Sequence, residues 1–349
     1  MTDKYTSKRL TRLGFTLVEV LVVIAIIAIL AGILLSTLGG VQESAKKTKT
    51  ESLIQSFARA CDMFALDHGR YPGLLPEGAI DGVQITSIQN ALLELMGGAR
   101  VQNENSPNSV TDEFSSFESS ATTVTLSGLQ DEATGLNWDL VFDQLRFGEG
   151  PWIAGRKYEP YFSPKSSDLL YVTYATPSDF TGFPALIDAW ESPIIYIRST
   201  RTSGPILDYA DTDIVAPMPQ FEIQDGMQFY DPVVQILHTQ NSLLSTSVSS
   251  EDKLAYLTLL LAHPSFWDIT SDNAGSEFSG GVAWGTPMGR YMLLSAGPDT
   301  IYLEATHDEL HSTLQGGGSP LSNLISPTSG NLTPSTMNIF DDIVVHGGA

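Results

Sequence analysis

The feature that most constrains this chain is an apolar run of 24 residues, Phe15 to Leu38, with one charged side chain, Glu19. A hydrocarbon core of ~30 Å takes roughly 20 helical residues, so the run is long enough to span a bilayer. Ahead of it, residues 1–14 carry Lys4, Lys8, Arg9 and Arg12 against Asp3, a net charge of +3 in a chain of net charge −22. The rest therefore stands at −25. A basic tip, an apolar run and an acidic body form an ordered polarity, and the Lys/Arg tip belongs on the cytoplasmic side. So acidic a body is not a nucleic-acid binder, because phosphates need clustered Lys and Arg. The single cysteine, Cys61, rules out an intrachain disulfide.

A carboxylate costs about 2.5–3.5 kcal/mol at the centre of a bilayer, so Glu19 is a functional candidate whose partner has to be found. A secretory signal peptide does not fit well: its apolar core runs to about 7–15 residues, and here Ala28 and Ala31 lie inside the run. A plain anchor leaves Glu19 and the preceding Gly14-Phe15 unexplained. Beyond Gly39-Gly40, the polar stretch with Glu43, Lys46, Lys47, Lys49 and Glu51 stays helix-prone. Ile54, Phe57, Ala58, Cys61, Phe64 and Ala65 then recur at helical spacing, up to a stop at His68-Gly69 and Tyr71-Pro72. The spacing predicts one helix over 15–66, transmembrane over about 15–38, with a second half that lays one apolar stripe on a globular head.

The stretch Gly14-Phe15-Thr16-Leu17-Val18-Glu19, behind its basic leader, resembles the leader junction of type IV pilins and type II secretion pseudopilins. The resemblance implies a cytoplasmic leader of residues 1–14. It implies a prepilin peptidase that cuts between Gly14 and Phe15 and methylates the new amine of Phe15. It also implies that Glu19 neutralises the N-terminal amine of a neighbouring subunit during filament assembly. Where many members carry a proline, this chain has Ser36, between Gly32 and Gly39-Gly40. The implied partners are the peptidase, other pilin or pseudopilin subunits, an inner-membrane assembly platform and the lipid bilayer.

Residues 67–349 read as the head. A helix is expected around Ile85–Met96. Residues 99–135 read as a long loop with one strand at Thr122–Leu126. A helix is expected over Leu136–Leu145, with Trp138, Leu140, Val141 and Leu145 inward. Asp188-Ala189-Trp190-Glu191-Ser192-Pro193 leads into a strand at Ile194–Ile197 and resembles the Asp-Pro-Trp-Gly-Asn-Pro segment of the major pseudopilin, without its first proline and its glycine. Residues 99–150 and 200–285 read as insertions, the second with a helix at Ser250–Ala262, capped by Ser249 or Ser250 and stopped at His263-Pro264. The strand Tyr291–Ser295 runs into Gly297-Pro298-Asp299, similar to the family's Ser-x-Gly-x-Asp-Gly, with Thr300 in place of the last glycine. Ile339 to Val345 resembles its terminal strand. The fold expected is α+β and pilin-like: a long N-terminal helix packed on a small antiparallel sheet with large insertions.

The resemblance also implies calcium between the last two strands, where Asp299, Glu304, Asp308, Asp341 and Asp342 offer hard oxygen ligands. Turn-capping by solvated aspartates is the competing reading. Asp208, Asp211 and Asp213 read as a solvated loop. His307 and His311 lack the glutamate placement of a metalloprotease helix. There is no G-x-S-x-G, no P-loop and no G-x-G-x-x-G. Cys61 and the aromatic stretch from Trp152 to Phe183 read as core. The function expected is therefore structural rather than enzymatic: a filament subunit, most like a type II secretion pseudopilin, held in the inner membrane with its head periplasmic. The alternatives are a minor type IV pilin for adhesion, motility or DNA uptake, and a membrane-anchored periplasmic binding domain that never polymerises.

Overall fold

A computed structural model describes residues 16–80, 85–103, 123–130, 135–154, 156–172, 182–204, 206, 219–223, 230–231, 236–237, 242, 244, 257, 260–263, 286–304 and 340–348. The chain divides into a unit ending at Lys46 and a second from Lys47 onward. Helix α1, Leu17–His68, runs through Gly39-Gly40 without a break in its helical backbone. It stops where Gly69 takes a positive φ of 71° and its N–H donates to the carbonyl of Ala65 at 2.8 Å. In chain order follow α2 (Glu77–Ile80), α3 (Ser87–Met96), β1 (Ala99–Asn103), β2 (Thr123–Gln130), β3 (Asn137–Asp143), β4 (Trp152–Ile153), β5 (Arg156–Lys157), β6 (Leu169–Val172), β7 (Phe183–Leu186), β8 (Ile195–Arg198), β9 (Tyr230–Asp231), β10 (Ile236–Leu237), β11 (Tyr291–Ser295) and β12 (Ile343–Gly347).

In the second unit the central sheet has the antiparallel order β12-β11-β8. Its side chains alternate between the two faces, and both faces are covered. Tyr196, Tyr291 and Leu293 pack against Ile54, Phe57, Cys61 and Phe64 of α1. Ile195, Ile197, Met292 and Leu294 point the other way, against Ile206, Phe221, Leu244, Leu257, Leu260 and Leu261. Left in water, those four strand side chains would forfeit about 6–12 kcal/mol, at 1.5–3 kcal/mol each. The described parts of residues 200–285 thus supply the layer that the second face requires. Burial on both faces is why Tyr291 to Leu294 reads as an unbroken apolar run.

Residues 99–150 correct the sequence reading twice. Ala99–Asn103, read as loop, is strand β1, and the expected strand at Thr122–Leu126 is β2, longer than expected. Leu136–Leu145 is not a helix. It is strand β3 followed by a single helical turn at Gln144–Arg146, and β3 lies at the centre of the order β1-β3-β2. Trp138, Leu140 and Phe142 alternate toward Leu75, Ile80, Ile85, Leu93 and Phe183, while Leu145 is exposed. Asp139 accepts the N–H of Gly128, where the pairing of β2 with β3 shifts register.

The remaining expectations fall close to the observed elements. The helix expected at Ile85–Met96 is α3, opened by a capping box in which Gln89 Oε1 accepts the N–H of Thr86 and Thr86 Oγ1 that of Gln89. Within Ser250–Ala262 only Leu257 and residues 260–262 are described; Leu257, Leu260 and Leu261 are helical. The last strand begins at Ile343, with Asp341 and Asp342 in the loop before it. Cys61 is fully buried in the core beside Phe57 and Phe64, and Phe162 and Phe183 are core as well.

Candidate assembly segment and the loops of the head

Gly14 and Phe15 lie outside the described residues; Glu19 sits in the first turn of α1. Its Oε2 accepts the backbone N–H of Thr16 at 2.8 Å and the Thr16 hydroxyl at 2.9 Å, while Thr16 Oγ1 accepts the Glu19 N–H at 3.2 Å. This is a capping box, with Thr16 as N-cap and Glu19 as its third helical residue. Glu19 therefore has a partner inside its own chain, which the sequence reading missed although Thr-x-x-Glu announces it. Oε1 has no partner among the described residues. Around Glu19, Leu17, Val18, Val20 to Ile24, Ile26, Ile27, Ile29 and Leu30 are all exposed. Successive residues turn by about 100°, so from Leu17 to Leu30 the helix presents exposed apolar side chains on every side. Among the described residues no helix is long and apolar enough to cross a membrane.

In the head, the quoted segments meet. Asp188 is buried. Its Oδ1 accepts the N–H groups of Trp190 at 2.8 Å and Ser192 at 2.9 Å, and its Oδ2 accepts the Ser295 hydroxyl at 2.7 Å. The same turn reaches α1, where Thr50 Oγ1 accepts the Ala189 N–H at 3.0 Å. Glu191, where the resembled segment has glycine, adopts φ 69°, and Thr300, where the second segment has glycine, adopts φ 62°. Both turns take a left-handed backbone without the residue that favours it, at a cost of roughly 1–2 kcal/mol each. The bonds from Asp188 hold the first. In the second, the Thr300 N–H donates to Gly297 and Asp299 accepts the Ile301 N–H at 2.8 Å.

Asp299, Glu304, Asp341 and Asp342 converge on this loop, whereas Asp308 lies outside the described residues. Burial and the nearby Asp341 and Glu304 push the Asp299 carboxyl up to about 6. Burial, then the charges of Asp299 and Asp341, push Asp342 up to about 8. Asp342 accepts the Leu303 N–H with both oxygens, at 3.2 and 3.0 Å. Turn-capping is thus what these two side chains do in this chain. Among the described residues no three His, Cys, Asp or Glu side chains form a group that would hold a metal ion. Asp208, Asp211, Asp213, His307 and His311 lie outside the described residues.

A feature that sequence reasoning missed lies beneath the start of the head. Arg198, on β8, donates from Nε to Glu77 at 2.7 Å, from Nη1 to the carbonyl of Tyr71 at 3.0 Å and from Nη2 to that of Leu75 at 2.9 Å. The second oxygen of Glu77 accepts the Ser87 hydroxyl at 2.9 Å. Beside this pair, Arg70 bonds both oxygens of Glu94, which also accepts the Gly73 N–H at 2.6 Å. Gly73 has no room for a Cβ, which would stand 2.1 Å from the Arg198 guanidinium carbon.

The N-terminal segment defines the class: residues 9–35 match the prokaryotic N-terminal methylation motif, so the chain opens on a segment of prepilin type. That segment is in turn similar to type II secretion system core protein G. It is 48% identical to that of Aeromonas hydrophila over 59 residues, 17% of this chain and 41% of the relative. For Pectobacterium carotovorum subsp. carotovorum the figures are 46% over 59 residues, 17% and 38%. For Escherichia coli (strain K12) they are 46% over 59 residues, 17% and 41%. The chain spans about two fifths of the length of the curated relatives it matches. No solved structure matches the chain.

Proposed function

We propose that this chain is a structural subunit of a type II secretion pseudopilus, acting in protein export and not as an enzyme. The observation that carries the reading is a prepilin-type segment whose helix is apolar on every side from Leu17 to Leu30. Such a helix is stable only in apolar surroundings: lipid before assembly, other subunits' helices after it. The sequence continues the apolar run to Leu38, long enough to span. On this reading the N-terminus faces the cytoplasm and the head the periplasm. A prepilin peptidase cuts between Gly14 and Phe15 and methylates Phe15, and an assembly platform in the inner membrane feeds the subunit into the filament. Similarity to core protein G favours the secretion pseudopilus over a minor type IV pilin or an anchored domain that stays single. The expected mature N-terminus is N-methyl-Phe15. Intact-mass and N-terminal peptide spectrometry on protein from cells with an active prepilin peptidase checks it, and a chain still beginning at Met1 sinks the reading.

Calcium at the head loop is a second proposal, supported by the mutual charge of Asp299, Glu304, Asp341 and Asp342; since no three described side chains already stand as a metal group, binding has to draw them together. The backbone bonds to Asp299 and Asp342 leave lone pairs on their oxygens, since an ionised carboxylate has about four acceptor sites. An ion that binds only the folded state at about 100 times its Kd stabilises by ~2.7 kcal/mol, which moves Tm by roughly 4 °C in a chain of this size. The expected result is a rise of that order with calcium chloride, reversed by EGTA and absent with magnesium. An unchanged melt removes calcium.

A further inference from the structure

The described parts of residues 200–285 also help wall a cleft of about 640 Å³. One wall, the loop 200–204, is pinned by the Thr200 N–H to the Gln220 carbonyl and by Gln220 Nε2 to the Gly204 carbonyl, both at 2.8 Å. The opposite wall, residues 286–290, is pinned at three points. The His263 N–H donates to Thr286 at 2.8 Å, and the Met288 N–H to Leu261 and the Arg290 N–H to Gly347, both at 2.7 Å. Between these walls the lining residues bring the hydroxyl side chains of Thr202, Ser203 and Thr286 and the Arg290 guanidinium. Among the described residues no Asp or Glu lines it. In a chain with 40 acidic residues against 18 Lys and Arg, that is a local reversal of charge. Arg290 Nη1 donates to the Arg201 carbonyl at 3.4 Å, and among the described residues Arg290 forms no ion pair.

We propose that this cleft binds a ligand through a carboxylate or phosphate group, with Arg290 as the charge partner and the hydroxyls of Thr202, Ser203 and Thr286 as hydrogen-bonding contacts. A guanidinium presents a planar fork that matches either oxyanion with two parallel bonds. The volume falls in the range of small-molecule sites, about 300–1,000 Å³, and exceeds what a lone inorganic anion fills. The anion is therefore one end of a larger ligand. The cleft owes nothing to filament assembly, so the two readings stand or fall separately.

The test is calorimetric titration of the full chain in detergent micelles with sodium succinate and, separately, inorganic phosphate, at constant ionic strength against sodium chloride. Saturable binding of at least one is expected, and which one binds identifies the oxyanion. Arg290→Gln abolishes it, and Arg290→Lys and Thr286→Ala each weaken it by about tenfold, the scale of one hydrogen bond to a charged group. Thr286 is exposed, so that variant keeps the fold. Binding of neither anion, or equal binding by the wild-type chain and the Arg290→Gln and Thr286→Ala variants, overturns the proposal.

Discussion

Arg198→Met destabilises the head by about 3–5 kcal/mol, the cost of leaving one partner of a buried ion pair uncompensated. The substitution strands the Glu77 carboxylate, 2% exposed, and the carbonyls of Tyr71 and Leu75, all of which accept from one guanidinium. Against a typical stability of 5–15 kcal/mol, such a loss is a large fraction of the whole. The guanidinium joins β8 of the central sheet to Glu77 at the start of α2 and to the Tyr71 and Leu75 carbonyls in the segment after α1, so its loss loosens that junction. Urea unfolding of the full chain in micelles, followed by tryptophan fluorescence, reads the change as a lower midpoint at unchanged slope. Glu77→Gln in the Arg198→Met background recovers part of the loss, because it removes the stranded charge and keeps an acceptor for Ser87. A single variant within 1 kcal/mol of wild type, or a double variant no better than the single, contradicts this account.

That pair also marks where sequence reading stops. Glu77 and Arg198 are 121 positions apart, and nothing local announces their meeting. What is local was legible: α1 from its helical spacing and its glycine stop, β8 from a short apolar run after turn residues, and β11 from one ahead of them. The segment Asn137–Asp143 was ambiguous, because Trp138, Val141 and Leu145 fit a helical stripe while Trp138, Leu140 and Phe142 fit a strand. Pairing with β1 and β2 on either side decided it, and no short window of sequence holds that information. Glu191 and Thr300 stand where the resembled segments have glycine. Both take a left-handed backbone all the same, held by Asp188 and Asp299, which accept the surrounding N–H groups. Thr16 shows the opposite failure: its capping signal was present and was overshadowed by the apolar run it introduces.

Glu19→Gln abolishes filament assembly while leaving helix α1 capped, and this separates the two roles the structure and the resemblance give Glu19. Glutamine serves as well as glutamate at the third position of a capping box, so the reciprocal bonds with Thr16 persist in the variant. If capping were the whole role, Glu19→Gln would assemble like wild type, and Glu19→Leu would cost only about 1 kcal/mol at the helix start. If instead the carboxylate neutralises the amine of a neighbouring Phe15 among apolar helices, both variants leave that ammonium unpaired. The penalty is then about 3–5 kcal/mol at each subunit contact, a factor of roughly 10²–10⁴ in association. The second role is the expected one, because the capping box uses only Oε2 and leaves Oε1 for an ammonium. Sheared filament from cells expressing each variant at equal membrane level, measured by immunoblot, gives the comparison. Loss of filament in both variants assigns Glu19 to assembly, and filament from Glu19→Gln at the wild-type level returns it to the helix cap alone.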